Sequence, residues 1–279
     1  MRWCVSIGAA LGAAILLGGD VSGIAAPNVA SQLAQRAGEA QVDVELVLAV
    51  DVSYSMDLEE LAIQREGYAE AVTSKEFLQA LKSGPHGKVA VTYFEWAAAH
   101  DQKVIIPWRI VEGPETADAV ASEIMKAPLR RASRTSISGA INFGMRLLGE
   151  NPYKGLRRVI DISGDGPNNN GEPVLIARDA ALEKGVTING LPVMVKQASY
   201  ATMDIEKLDL YYEDCVIGGA GSFVVPIKER AKFKEAIRTK LILEVAGLQP
   251  KPRVIPAQAR EPRVPCTIGE QLWRERWGR

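Results

Sequence analysis

The sequence predicts an α/β fold: a doubly wound, mostly parallel sheet with helices on both faces. Three observations point to it. Strand-like and helix-like segments alternate from about residue 42 to residue 247, the pattern of parallel strands joined by helical crossovers. The first strand-like run, "VDVELVLAV" (residues 42–50), is β-branched and apolar enough to be buried on both faces. Oxygen-bearing turn residues collect where strand-like runs give way to helical ones, which is the ligand end of an open α/β sheet.

The elements follow in order. After the first strand, "LEELAIQREGYAEAVTSKEFLQAL" places Leu58, Leu61, Tyr68, Val72 and Phe77 near helical spacing. "KVAVTYFEW" and "KVIIPWRIV" read as the next two strands. "PETADAVASEIMKA" reads as a helix with Pro114 in its first turn. "SISGAINFGMRLLGE" sets Ile137, Ile141, Met145 and Leu148 on one helical face. "RRVIDIS" is a strand that runs into the turn-rich "GDGPNNNGEP". "VLIARDAALEKG" is a helix closed by Gly185, and "VTINGLPVM" a strand. "DIEKLDLYYEDCVIG" reads as helical, "SFVVPI" as a last short strand, and "KERAKFKEAIRTKLILEVAG" as a last helix.

Composition sets the class. Of 279 residues, 47% are hydrophobic and 24% charged, an ordinary globular balance. The formal net charge of −1 gives no global attraction to nucleic acid, so no nucleic-acid partner is expected.

The two ends read differently from the middle. "MRWCVSIGAALGAAILLGG" carries Arg2 and then an apolar stretch, and Gly23 and Ala25 occupy the −3 and −1 positions of a cleavage site. Residues 1–25 are therefore expected to be a signal peptide. The apolar run is shorter than the roughly 20 residues of a membrane-spanning helix, so the mature chain is expected to hold no transmembrane segment. Residues 26–41 read as a linker, and 248–279 as a Pro- and Arg-rich tail with five prolines and seven Lys or Arg. That tail is expected to strap across the domain surface, held by Cys266, with contact to anionic lipid as the alternative, and to end in a short amphipathic turn.

Removal of Cys4 with the signal peptide leaves Cys215 and Cys266, a pair that an oxidising compartment favours as a disulfide. Closing that loop stabilises a fold by about 4 kcal/mol in the chain-entropy picture. Two unrelated thiols are the alternative. The expected location is secreted or periplasmic.

The joints carry the chemistry. The first strand ends in Asp51, Ser53 and Ser55, "RTS" brings Arg134, Thr135 and Ser136, and "VIDIS" leads to Gly164, Asp165 and Gly166. An all-oxygen set with no Cys or His suits Mg²⁺, Mn²⁺ or Ca²⁺ rather than zinc or copper. Two serines at i and i+2 on extended chain project to the same side. Asp and Ser also cap helices, so a plain capping turn is the other reading of the first motif. Asp161, four residues before Asp165, reads as a buried partner for a base, although an exchange of roles with Asp165 stays open. "GPNNNGE" reads either as a recognition loop with Asn168 and Asn169 on the rim or as a solvated turn. Glu95 is a further rim candidate, beside Trp96.

These residues carry a resemblance. "DVSYS" resembles the D-x-S-x-S motif of the von Willebrand factor type A (vWA) domain. "TSISGAI" is similar to its second-loop threonine segment, and "SGDG" to its third-loop aspartate-glycine. The likeness spans about 42–247 and implies a Rossmann-like sheet carrying a metal ion-dependent adhesion site. By that likeness Ser53, Ser55 and Thr135 touch the metal directly, and Asp51 and Asp165 act mostly through water or hydroxyl groups. Gly-Asp-Gly stands where many members have Thr-Asp-Gly. The whole chain also resembles a secreted bacterial vWA-like family of unknown function.

The resulting expectation is a secreted, non-enzymatic, metal-dependent binding module whose divalent ion is completed by an acidic side chain of a protein partner. A metal-dependent hydrolase or phosphatase is the alternative. It is disfavoured because Ser53 stands where a phosphatase of the haloacid dehalogenase type needs its second acid, and because no G-x-S-x-G elbow is present. A structural envelope protein with a vestigial site is the third reading.

Overall fold

The computed structural model describes residues 40–196, 204–247 and 262–278. The expected signal peptide, most of the linker and the first half of the tail therefore lie outside the described residues. Five strands form one sheet: β1 (Ala40–Asp51), β2 (Val89–Trp96), β3 (Gln102–Val111), β4 (Tyr153–Gly164) and β5 (Thr187–Pro192), in the order β3-β2-β1-β4-β5. The helices are α1 (Leu58–Thr73), α2 (Lys75–Lys82), α3 (Pro114–Lys126), α4 (Ile137–Gly149), α5 (Val174–Glu183), α6 (Leu208–Tyr211, continued as a π-turn over Tyr212–Val216), α7 (Phe233–Ala246) and α8 (Ile268–Trp277).

β1 lies at the centre, parallel to β2 on one side and β4 on the other. Its alternation divides the core. Val44, Leu46, Leu48 and Val50 join Tyr68, Phe77, Val120 and Ile237 from α1, α2, α3 and α7. Val47 and Ala49 join Ile137, Ile141, Ala177 and Tyr211 from α4, α5 and α6. A strand covered on both faces must be apolar on both, which is why its sequence reads as a continuous run. The chain builds β2 and β3 on one side of β1 and then returns to build β4 and β5 on the other. The switch point is therefore the crevice between the carboxyl ends of β1 and β4.

Several elements depart from the sequence reading. β1 begins at Ala40, so the last two residues of the expected linker already pair with Tyr153 and Lys154. The single helix expected after β1 breaks at Ser74, whose hydroxyl accepts from Phe77 N and caps α2. Leu58, read as part of the apolar stripe, is exposed. β3 is antiparallel to β2, because the short 97–101 connection permits only a hairpin. Pro107 falls in β3 beside a register irregularity, on the sheet's outer edge, where its missing N–H costs no ladder bond. "SFVVPI" makes only isolated bridges along β5, at Val224 and Ile227, with Pro226 interrupting the ladder.

One buried charge cluster ties α7 to the sheet. Lys240 Nζ stands 2.8 Å from Asp161 Oδ1 and 2.8 Å from Glu244 Oε1, all three side chains being buried. Asn189 Nδ2 donates to both Glu244 oxygens at 2.9 and 2.7 Å. Asp161 thus has the basic partner the sequence suggested. Removing one member of such a cluster leaves an uncompensated buried charge. We predict that Lys240→Met lowers stability by about 3–5 kcal/mol in urea unfolding; a loss within experimental error of zero would contradict the cluster's role.

Candidate metal centre

The centre is built at the switch point. At the end of β1, Asp51 Oδ1 accepts from Ser53 N at 2.7 Å, an Asx-type turn that swings the chain off the sheet. Val52 N donates to Trp96 O and Ala132 N to Val52 O, so the turn is pinned to β2 and to the 127–132 loop. Ser53 Oγ and Ser55 Oγ then lie 2.8 Å apart, and Ser55 Oγ donates to Asp165 Oδ1 at 2.6 Å. A chain of hydroxyls therefore joins the end of β1 to the residue just beyond β4. Thr135 lies at the N-terminal side of α4, and its Oγ1 stands 3.8 Å from where a Cβ on Gly166 would be. The structure thus brings together Asp51, Ser53, Ser55 and Asp165, and sets Thr135 beside Gly166, the residue after Asp165.

The electrostatics distinguish this joint from a simple capping turn. Asp51 and Asp165 are both buried, and each keeps one carboxylate oxygen, Oδ2, without a hydrogen-bond partner among the described residues. Burial pushes the Asp51 carboxyl up to about 7, against the lowering effect of its hydrogen bonds from Ser53. Asp165 is pushed well above the usual carboxylate range by burial and then by the negative charge of Asp51. Two buried carboxyls with unmatched oxygens need either protons or a cation. The donors around them are hydroxyls. Among the described residues no cluster of three or more carboxylate, imidazole or thiol groups stands ready for a metal, so any ion here would rest on the mixed set. That set fits a hard divalent ion that keeps water ligands.

The rim candidates are corrected by burial. Glu95 is 1% exposed and forms ion pairs with Arg65 and Arg130. Arg65 also donates to the carbonyls of Ala127 and Pro128, and Arg130 to Asp101 at 2.7 Å. Glu95 is thus the hub that anchors the loop pairing with Ser53. Asn168 is fully buried: its Oδ1 accepts from Ser138 N at 3.0 Å, and its Nδ2 donates to Glu172 O at 3.1 Å and to Glu270 Oε1 at 2.7 Å. Asn169 is half-buried, and its Oδ1 accepts from Thr135 N at 2.9 Å while its own N donates to Thr135 O at 2.8 Å. Asn170 Oδ1 accepts from Ala99 N. "GPNNNGE" is neither a free recognition loop nor a plain solvated turn; its three amides staple the metal-side loops to each other. Trp96 is a packing residue.

Some neighbours were not legible in sequence. Arg134, immediately before Thr135, has φ of 77° and is the one non-glycine residue with positive φ among those described. Tyr54, between the two serines, is 61% exposed, with the Arg131 guanidinium 5.4 Å from its ring centre. Lys196 reaches the Ser55 carbonyl and pairs with Glu60. The departure to Gly-Asp-Gly also gains a reason. A Cβ on Gly164 would stand 2.9 Å from Asp51 Oδ2 and 2.9 Å from Tyr212 Oη, so the room a threonine needs is taken by a tyrosine from the π-turn.

Two outcomes follow. Gly164→Ala should lower stability by about 1–3 kcal/mol through overpacking, and Tyr212→Phe in the same chain should recover part of it; urea unfolding of the single and double variants checks both. Because the folded Asp51 binds its proton more tightly than the unfolded one, the folded state holds more protons between about pH 4 and 7. This contribution favours folding at low pH and is lost as pH rises. In chelator, the advantage of Asp51→Asn over wild type should therefore grow from below about 1 kcal/mol at pH 4 to about 4 kcal/mol at pH 7, read from unfolding free energies at each pH.

The comparisons agree with this architecture. A von Willebrand factor type A protein from Catenulispora acidiphila superposes with a TM-score of 0.50 at 14% identity, covering 74% of this chain and 43% of that one. Proximal thread matrix protein 1 from the mussel byssus gives 0.52 at 13%, covering 75% and 48%. The pilus adhesin SpaC from Lactobacillus rhamnosus GG gives 0.55 at 12%, covering 75% and 31%. The chain spans less than half the length of these solved structures, and at such identities the likeness establishes the vWA-like fold alone. No curated protein matches the chain in sequence. A family model described as "Protein of unknown function (DUF1194)" matches residues 41–249, and the chain belongs to that family.

Proposed function

We propose that the chain is a metal-dependent protein-binding module of adhesion type. The observation that carries this reading is the Ser53–Ser55–Asp165 hydroxyl chain between two buried carboxyls, each with an unmatched oxygen, at the switch point of a vWA-like sheet. Ser53, Ser55 and Thr135 would hold the ion through hydroxyl oxygens. Asp51 would orient Ser53 through its backbone N–H, and Asp165 would polarise Ser55. Mg²⁺, with Mn²⁺ or Ca²⁺ as substitutes, matches this donor set. When bound, such an ion supplies a positive centre with a ligand position left for a carboxylate oxygen of a protein partner.

The surroundings support a protein ligand. Tyr54 lies exposed between the two serines with Arg131 over its ring, an aromatic and cationic pair suited to an acidic segment. Among the described residues the site gathers hydroxyls and carboxyls and no His or Cys, and we read the chain as non-enzymatic. The Cys215–Cys266 disulfide fits a secreted or periplasmic location. Among the described residues no helix is long and apolar enough to cross a membrane. Proteins described as a pilus adhesin and a thread matrix protein share the fold, which is compatible with binding at a surface.

Thermal unfolding of the full chain with Mg²⁺, Mn²⁺ or Ca²⁺ tests the reading. An ion at 100 times its dissociation constant stabilises by about 2.7 kcal/mol, so the midpoint should rise in wild type and stay unmoved in Asp51→Ala. A midpoint that no ion raises would count against the metal.

A further inference from the structure

α8 lies beyond the stretch matched by the family, yet it is seated on the metal loops. The Cys215–Cys266 disulfide ties its leading segment to the π-turn after α6, with Cα atoms 5.4 Å apart. Arg263 reinforces the tie through Asp214 Oδ1 at 2.7 Å and Glu213 Oε2 at 2.5 Å. Two contacts then reach the site. Glu270 Oε1 accepts from Asn168 Nδ2 at 2.7 Å, and Asn168 in turn receives Ser138 N of α4. The Arg134 guanidinium carbon lies 3.2 Å from the centre of the Trp273 ring.

Each contact lands one or a few residues from a proposed ligand: Arg134 precedes Thr135, and Asn168 follows Asp165 by three. Both loops need outside support. Arg134 occupies the left-handed region, which is unfavourable for a residue with a Cβ unless its surroundings hold it there. The close seat of the helix is also specific, since a Cβ on Gly269 would stand 2.0 Å from Asn168 O, leaving room for glycine alone. The disulfide shortens the covalent tether of α8 to the domain, which raises the effective concentration of these contacts.

We propose that α8 is a clamp that holds the second and third metal loops in register, with Glu270 and Trp273 as positioning residues of the metal centre. This rests on the metal reading given above. The clamp acts through Arg134 on the Thr135 side and through Asn168 on the Asp165 side, and the disulfide keeps it in place. The tail is thus part of the site.

The test uses the full chain as wild type, Glu270→Ala, Trp273→Ala, Trp273→Phe, the double variant Cys215→Ser/Cys266→Ser, and Asp51→Ala. Two quantities are measured: amide hydrogen exchange at Thr135, Ser138 and Asn169 in metal-free protein, and the dissociation constant for Mn²⁺ alone. The three amides bond across the two loops. Glu270→Ala, Trp273→Ala and the disulfide variant should exchange there about tenfold faster and bind Mn²⁺ about tenfold more weakly. Amides of β1 and β4 should keep their wild-type rates, and Trp273→Phe, which retains a ring over Arg134, should restore both readouts. Unchanged exchange and unchanged Mn²⁺ affinity in Glu270→Ala and Trp273→Ala would overturn the clamp. If wild type binds Mn²⁺ no better than Asp51→Ala, the metal reading falls instead, and the exchange rates alone decide whether α8 clamps the loops.

Discussion

The Ser55–Asp165 hydrogen bond, with Asp51 behind it, is the constraint around which the carboxyl end of the sheet is organised. It joins the ends of two adjacent parallel strands whose chain connections run in opposite directions, and it does so between two buried acids. Their unmatched oxygens are buried, and no protein donor reaches them among the described residues. The surrounding loops therefore have to hold like charges close together. That is unfavourable in an empty fold and favourable around a cation.

The support comes from outside the motif. Glu95 with Arg65 and Arg130 fixes the loop that pairs with Ser53. Asn168, Asn169 and Asn170 fix the third loop against the second. Tyr212 fills the space beside Gly164. On the far side of β4, Lys240 neutralises Asp161, so the strand that delivers Asp165 is anchored to α7 by a buried ion pair. The charged and amide groups among these are buried or half-buried, and each is matched by a partner far away in sequence. Such a network fixes one arrangement of the loops, because a half-made version leaves buried polar groups unmatched.

Much of this was legible in the sequence. The alternation of segments gave the fold class, and the apolar run at 42–50 gave the central strand, because burial on both faces demands it. Asp51, Ser53, Ser55, Thr135 and Asp165 could be named because ligand-bearing joints fall where strands end. Their meeting was not readable from any one of them, since Asp and Ser caps look the same in isolation. Glu95 and Asn168 were misplaced on the rim because a charge or an amide in a loop reads as exposed until its partners, Arg65, Arg130, Ser138 and Glu270, are seen around it.

The sequence by itself determined the layers, the order of most elements and the oxygen character of the site, since periodicity and residue type act locally. Tertiary structure alone decided the antiparallel edge strand, the break at Ser74, the isolated bridges of "SFVVPI", the left-handed Arg134 beneath Trp273 and the seating of α8 on Asn168. The physical reason is common to most of these. A hydrogen bond or ring stack between residues tens of positions apart leaves no periodic trace, and its cost and gain exist only once the chain has brought both partners out of water.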